Sequence, residues 1–125
     1  MIFVIINYLK NVYIYIRILI YKKKESMTVN IQYVGVDVSE TLSSFTEEKL
    51  KKLFNRYEFL ISATVYFKQD DNQHEIGKIC NIELSLPGPR IFATSNERNF
   101  EVSVRETISD LERQLEKRKE VFKTH

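Results

Sequence analysis

Lysine and arginine carry most of the chemistry open to this sequence. Lys49, Lys52 and Arg56 recur at i, i+3 and i+7. On a helix that spacing projects them within about 60° of one another, beside any apolar stripe. Cations grouped in this way grip phosphates. Lys51 points elsewhere. A second group, Arg113, Lys117, Arg118, Lys119 and Lys123, gathers towards the C-terminal end. Two parallel helices on one sheet face would bring both groups onto one surface. A solvated face is the competing reading, because basic residues favour helix C-termini through the macrodipole. Glu112, Glu116 and Glu120 are also interspersed among them. If the cations do meet phosphates, each contact steepens the salt dependence of binding by about 0.7–0.9.

Other reactive side chains offer little. Cys80 lies on the apolar phase of an alternating run and reads as a core cysteine. His74 sits in a polar stretch with Asp70, Asp71 and Glu75, but without the ligand spacing of a calcium loop. His125 is the last residue. There is no phosphate loop, dinucleotide turn, nucleophile elbow or zinc spacing. The expectation is a protein without catalytic residues, metal, cofactor or small-molecule substrate. Aromatic rings can stack on single-stranded RNA, yet Phe45, Phe54, Tyr57, Phe100 and Phe122 fall on apolar phases and read as core. Tyr66 and Phe67 point to opposite faces of one strand, which leaves one of them for an open face.

The 125 residues suffice for one domain, with 43% hydrophobic and 29% charged residues. A single cysteine rules out a disulfide framework within the chain and suits a reducing compartment. Met1–Ser26 differs in character from the rest. Ile2–Tyr21 is long enough to span a membrane, with Lys22, Lys23 and Lys24 after it, but Asn7, Lys10, Asn11 and Arg17 interrupt it. A secretory signal would have the opposite order of charge and apolar stretch. All but 7 of these 26 positions are Ile, Asn, Lys, Tyr, Phe or Met, residues with A/T-rich codons. Residues 1–26 are therefore expected to be a non-native or mis-called extension, with a membrane-associated segment as the alternative, and residues 27–125 the working domain. Of the chain's 19 basic and 17 acidic residues, 5 and 1 lie in that segment, leaving 14 against 16 and a net charge of −2. A polycation is excluded, so nucleic-acid binding requires charge segregated onto one face.

The elements that must position these residues follow from periodicity. Val29, Ile31 and Tyr33 alternate in a strand over Thr28–Val34. Ser39 is the expected N-cap of a helix reaching Tyr57, with Leu42, Phe45, Leu50, Leu53, Phe54 and Tyr57 on one broad side. Ser62–Gln69 reads as a second strand, and Lys78–Leu86 as a third with one wet and one dry face. Pro87-Gly88-Pro89 reverses the chain into a fourth strand over Arg90–Ser95. Phe100, Val104, Ile108, Leu111, Leu115 and Phe122 stripe a final helix. The fold class is α+β in the order β-α-β-β-β-α, with both helices on one face of a four-stranded, mostly antiparallel sheet.

Residues 27–125 resemble the ribosome hibernation-promoting factor and ribosome-associated inhibitor family, also called sigma-factor modulation proteins. The likeness is clearest in VSETLSSFTEEKLKKLFNRY (38–57), VYFK (65–68) and DLERQLEKRKEVFKTH (110–125). It implies a double-stranded-RNA-binding-like fold seated in the decoding channel of the small ribosomal subunit. Bound there, the protein would block mRNA and tRNA and inactivate cytoplasmic ribosomes in stress or stationary phase. The resemblance implies that Lys49, Lys52, Arg113, Lys117, Lys119 and Lys123 face ribosomal RNA, with Arg118 a further addition. Ser43 and Asp110 stand where members often carry a basic residue. The chain ends soon after its last helix, which suggests the short, hibernation-promoting type; the sequence leaves open whether it promotes ribosome dimers with another factor or only inhibits. The alternatives are a structured-RNA-binding module not directed at the ribosome and a membrane-associated protein acting through residues 1–26.

Overall fold

Among the described residues, period-two alternation makes four strands and two amphipathic stretches make helices, in the order β-α-β-β-β-α. They are β1 (Thr28–Tyr33), α1 (Glu40–Arg56), β2 (Ser62–Gln69), β3 (Lys78–Ser85), β4 (Ile91–Glu97) and α2 (Phe100–Thr124). This computed structural model describes residues 27–72 and 74–124. The expectations for residues 1–26 and for His125 lie outside the described residues.

Local chemistry sets the ends of the elements. Ser39 is extended, and its hydroxyl accepts from the Leu42 amide at 3.2 Å, as an N-cap should. Asn99 caps α2 in the same way, accepting from the Val102 amide at 2.8 Å. Between two prolines, Gly88 takes φ +90°, a value side chains resist, and turns β3 back into β4. β4 runs to Glu97, two residues past the expected Ser95, because β3 still offers partners there: Ile79 pairs with Asn96 and Lys78 with Glu97.

The strands lie in the order β1-β2-β3-β4. β1 is parallel to β2, with Val29 beside Ala63 and Tyr33 beside Phe67. α1 supplies the crossover that a parallel pair needs. The remaining pairs are antiparallel, and Ile82 joins Val65 on one side to Ala93 on the other. Alternation then buries Ala63, Val65, Phe67, Cys80, Ile82, Leu84, Ile91 and Ala93 on one face. Leu42, Leu50, Leu53 and Phe54 of α1 and Val104, Ile108, Leu111 and Leu115 of α2 complete that core. Its hydroxyls are satisfied by backbone carbonyls. Thr46 donates to the Leu42 carbonyl at 2.8 Å and Thr107 to the Ser103 carbonyl at 2.7 Å, while Ser103 donates to the Lys78 carbonyl. Among the described residues no buried side-chain N or O lacks a partner.

The helices run in the same direction. Arg105 meets Phe45 near their starts, and Glu112 and Glu116 meet Arg56 where α1 ends. At 25 residues α2 is about 37 Å long, whereas the 8-residue strands reach about 26 Å. The helix outruns the sheet. Phe122, expected in the core stripe, is therefore 39% exposed and packs edge-on against Phe59 at 4.9 Å. Phe54 and Tyr57 are fully buried as expected, and Phe45 and Phe100 are half-buried against the core.

Candidate nucleic-acid interface

The flank of α1 that turns towards α2 carries Phe45, Lys49, Lys52 and Arg56, all within about 60° on the helical wheel. The facing flank of α2 carries Arg105, Ser109, Glu112, Glu116, Lys119 and Lys123. Because the helices are parallel, these flanks align as far as Arg56, where α1 ends opposite Glu112 and Glu116. Lys49, Lys52, Arg56 and Arg105 rim an open cleft of about 310 Å³, floored by Leu53 and Ile108, with Ser109 and Glu112 on its wall. Phe45 holds its upper end in shape. The Lys49 ammonium lies 5.4 Å from the ring centroid and the Arg105 guanidinium 5.6 Å. Both contacts place a cation against an aromatic face while leaving its hydrogen-bond donors for an anion.

Further along, the groove is bridged. Arg56 reaches across to Glu112 at 4.0 Å and to Glu116 at 3.5 Å. The buried Tyr57 hydroxyl donates to the same Glu116 carboxylate at 2.5 Å. Burial, helped by that carboxylate, pushes the Tyr57 hydroxyl up to about 12. The hydrogen bond, with Lys119, Arg56 and Lys123 nearby, holds the Glu116 carboxyl below its ordinary value. A core residue thus fixes the position of a surface charge. Beyond the bridge stand Lys119 and Lys123, the latter 3.6 Å from Glu120.

The sequence-predicted cations therefore divide. Lys49, Lys52 and Arg56 line the interhelical cleft, while Lys119 and Lys123 continue the same flank of α2 beyond the end of α1. Arg113 and Lys117 lie about 100° round α2 on its outer face, where Arg113 contacts Asp110 at 3.4 Å and the Ser109 hydroxyl at 3.3 Å. Arg118 leaves the group altogether. It turns to the β3–β4 hairpin and donates to the Pro87 carbonyl at 3.0 Å, packed over Gly88. A single surface for both groups is thus formed only in part. Arg105 is the member that sequence reasoning missed. Its spacing of seven from Glu112, itself seven from Lys119, is the signal that places it on the same flank.

Residues 29–123 match the model of the family described as sigma 54 modulation protein / S30EA ribosomal protein. The chain belongs to that family. It is a family of non-enzymatic, ribosome-associated factors. The ribosome hibernation promoting factor of Pseudomonas putida is 26% identical over 94 residues, which cover 75% of this chain and 88% of that protein. A ribosomal subunit interface protein from Coxiella burnetii superposes with a TM-score of 0.64 at 27% identity, covering 74% of this chain and 98% of that one. The N-terminal domain of Thermus thermophilus Protein Y shares the fold, with a TM-score of 0.63 at 17% identity and coverages of 73% and 98%.

Ser43 and Asp110 are both occupied with internal contacts. The Tyr33 hydroxyl donates to the Ser39 carbonyl at 2.7 Å, so the Ser43 hydroxyl donates to Tyr33 at 2.7 Å and locks β1 onto α1. Asp110 ties down Arg113 and accepts from Gln114 at 3.4 Å. Cys80 is buried, and desolvation pushes its thiol up to about 12, so it is inert in the folded protein. Asp70, Asp71, His74 and Glu75 border a shallow polar hollow, and among the described residues no three metal-ligating side chains converge. On the open sheet face Tyr66 is half-buried with Lys68 5.9 Å from its ring, and Phe92 is 59% exposed. Among the described residues no helix is long and apolar enough to cross a membrane.

Proposed function

We propose that this protein binds the small ribosomal subunit in its decoding channel through the interhelical groove. It thereby blocks mRNA and tRNA binding and inactivates cytoplasmic ribosomes in stress or stationary phase. The observation that carries the reading is the alignment of Lys49 and Lys52 opposite Arg105 in one open cleft, with Arg56 bridged to Glu112 and Glu116 at its end, on a domain of net charge −2. Such segregation concentrates positive potential where phosphates can enter. The similarity to a protein named ribosome hibernation promoting factor, and to one named ribosomal subunit interface protein, supports the ribosome as the source of those phosphates. The working domain is residues 27–125, in keeping with a family match that begins at residue 29. Ribosome dimers would form with the help of another factor.

The test is co-sedimentation of the 125-residue chain with purified small subunits across a salt series. Binding that weakens steeply with salt, and that mRNA with initiator tRNA displaces, is the expected result. Equal affinity for naked duplex RNA and for subunits would instead favour a structured-RNA-binding module without a ribosomal target. Absence of binding at low salt would overturn both.

A further inference from the structure

The interhelical groove is not uniformly basic. Arg105 and Lys123 lie about 27 Å apart along α2 by helical rise, and Glu112 and Glu116 stand between them. Glu116 cannot swing away cheaply, because the Tyr57 hydroxyl holds it at 2.5 Å and Tyr57 is only 1% exposed. Both carboxylates face Arg56 of α1, at 4.0 Å and 3.5 Å. The side chains of Arg56, Glu112 and Glu116 remain 60%, 43% and 47% exposed. Pairs this open are weak and exchange readily for a better anion.

A nucleic-acid strand carries a charge about every 3.4 Å of rise. A continuous backbone laid along the groove must therefore bring phosphates against both carboxylates. A folded RNA whose phosphates converge on Lys49, Lys52 and Arg105 at one end, and on Lys119 and Lys123 at the other, meets no such repulsion. We propose that Glu112 and Glu116 are the specificity-determining residues of this surface: they hold Arg56 in reserve and interrupt the groove, so that it accepts folded ribosomal RNA and rejects a regular duplex. This rests on the reading that the groove binds the small subunit.

The variant Glu112→Gln/Glu116→Gln keeps the side-chain shapes and an acceptor for Tyr57 while removing both charges. Glu47→Gln/Glu106→Gln removes two charges from exposed positions on other helix faces and serves as the charge-matched control. Each full-length protein is titrated with purified small subunits and with a regular RNA duplex at the same salt. The groove variant is expected to gain about tenfold or more for the duplex, with a salt dependence steeper by about one contact for the freed Arg56. Its gain for subunits stays below about threefold, so the preference for subunits falls. The control keeps the parent's preference. Glu112→Gln alone, which leaves the Tyr57–Glu116 contact intact, shifts the preference in the same direction and guards against a folding defect in the double variant.

An unchanged preference in both groove variants overturns the inference, and so does an equal fall in the control, since net charge alone would then explain it. A parent that fails to bind subunits overturns the proposed function and the inference together. A parent that binds, with the preference unmoved in the variants, overturns the inference alone.

Discussion

Replacing Lys49, Lys52 and Arg105 together by Ala tests the cleft with least risk to the fold. None of the three fills the core. Among the described residues Lys52 pairs with Glu48, at 3.7 Å, with both side chains about two-thirds exposed. Such a pair contributes well under about 1 kcal/mol. Lys49 and Arg105 each lie over Phe45, an exposed cation–π contact of about 0.5–1 kcal/mol. The triple variant should therefore lose about 1–2 kcal/mol of stability and still fold. Binding should suffer far more. If each cation meets one phosphate, each contributes about 0.8 to the salt slope, a factor of about 6 at 0.1 M salt. Three such contacts make roughly 250-fold. The slope of log affinity against log salt should fall by about 2–3. Co-sedimentation with small subunits at four or five salt concentrations reads both quantities, and urea unfolding reads the stability. A triple variant that unfolds like the parent within this margin, yet binds with the parent's affinity and slope, would refute the cleft as the phosphate site.

Arg118→Ala should leave the salt slope unchanged, because its guanidinium is turned away from the cleft to the Pro87 carbonyl. Urea unfolding should register a loss of about 1 kcal/mol as the hairpin is released. Tyr57→Phe should cost about 0.5–1.5 kcal/mol at neutral pH. Its pH dependence carries a sign: the unfolded hydroxyl ionises near 10.0 while the folded one holds its proton to about 12. Parent stability should therefore be lost as pH rises through that window, and chemical denaturation from pH 9 to 12 should show a shallower fall in the variant. Because Cys80 is fully buried, with its thiol pushed up to about 12, a thiol reagent at neutral pH should label it only in urea, at a rate that tracks unfolding.

The fold was legible where local chemistry and long-range packing agree. Ser39 marks the start of α1 by its capping oxygen, and the alternation in Lys78–Ser85 declares which side chains are wet and which are dry. The end of β4 was not legible, because Asn96 and Glu97 are strand residues only by virtue of their partners in β3. Phe122 continues the apolar stripe of α2, but periodicity says nothing of where the underlying sheet stops. At the site, Lys49, Lys52 and Arg56 announce themselves by spacing. Arg105 stands alone between Glu101 and Glu106 and becomes part of the cleft only because the helices are parallel and in step. Arg118 looks like one more cation in a basic run, and only the position of Pro87 shows that its guanidinium is turned to the β3–β4 hairpin.

The parallel arrangement also decides which end of the groove is the stronger anion site. Both helix C-termini lie at the same end, where their dipoles present partial negative charge. Arg56, in the last turn of α1, and Lys123, in the last turn of α2, compensate that charge before they attract anything external. Lys123 is further offset by Glu120 at 3.6 Å, and Lys119 by Glu116. At the other end, Lys49 and Arg105 rest on an aromatic ring and not on a carboxylate. Among the described residues the ion-pair partner of Lys52 is the exposed Glu48. The positive potential that an incoming phosphate meets is therefore concentrated around Phe45. On the proposed function, a domain of net negative charge would take hold of a polyanion there, by where it leaves cations uncompensated and not by how many it carries.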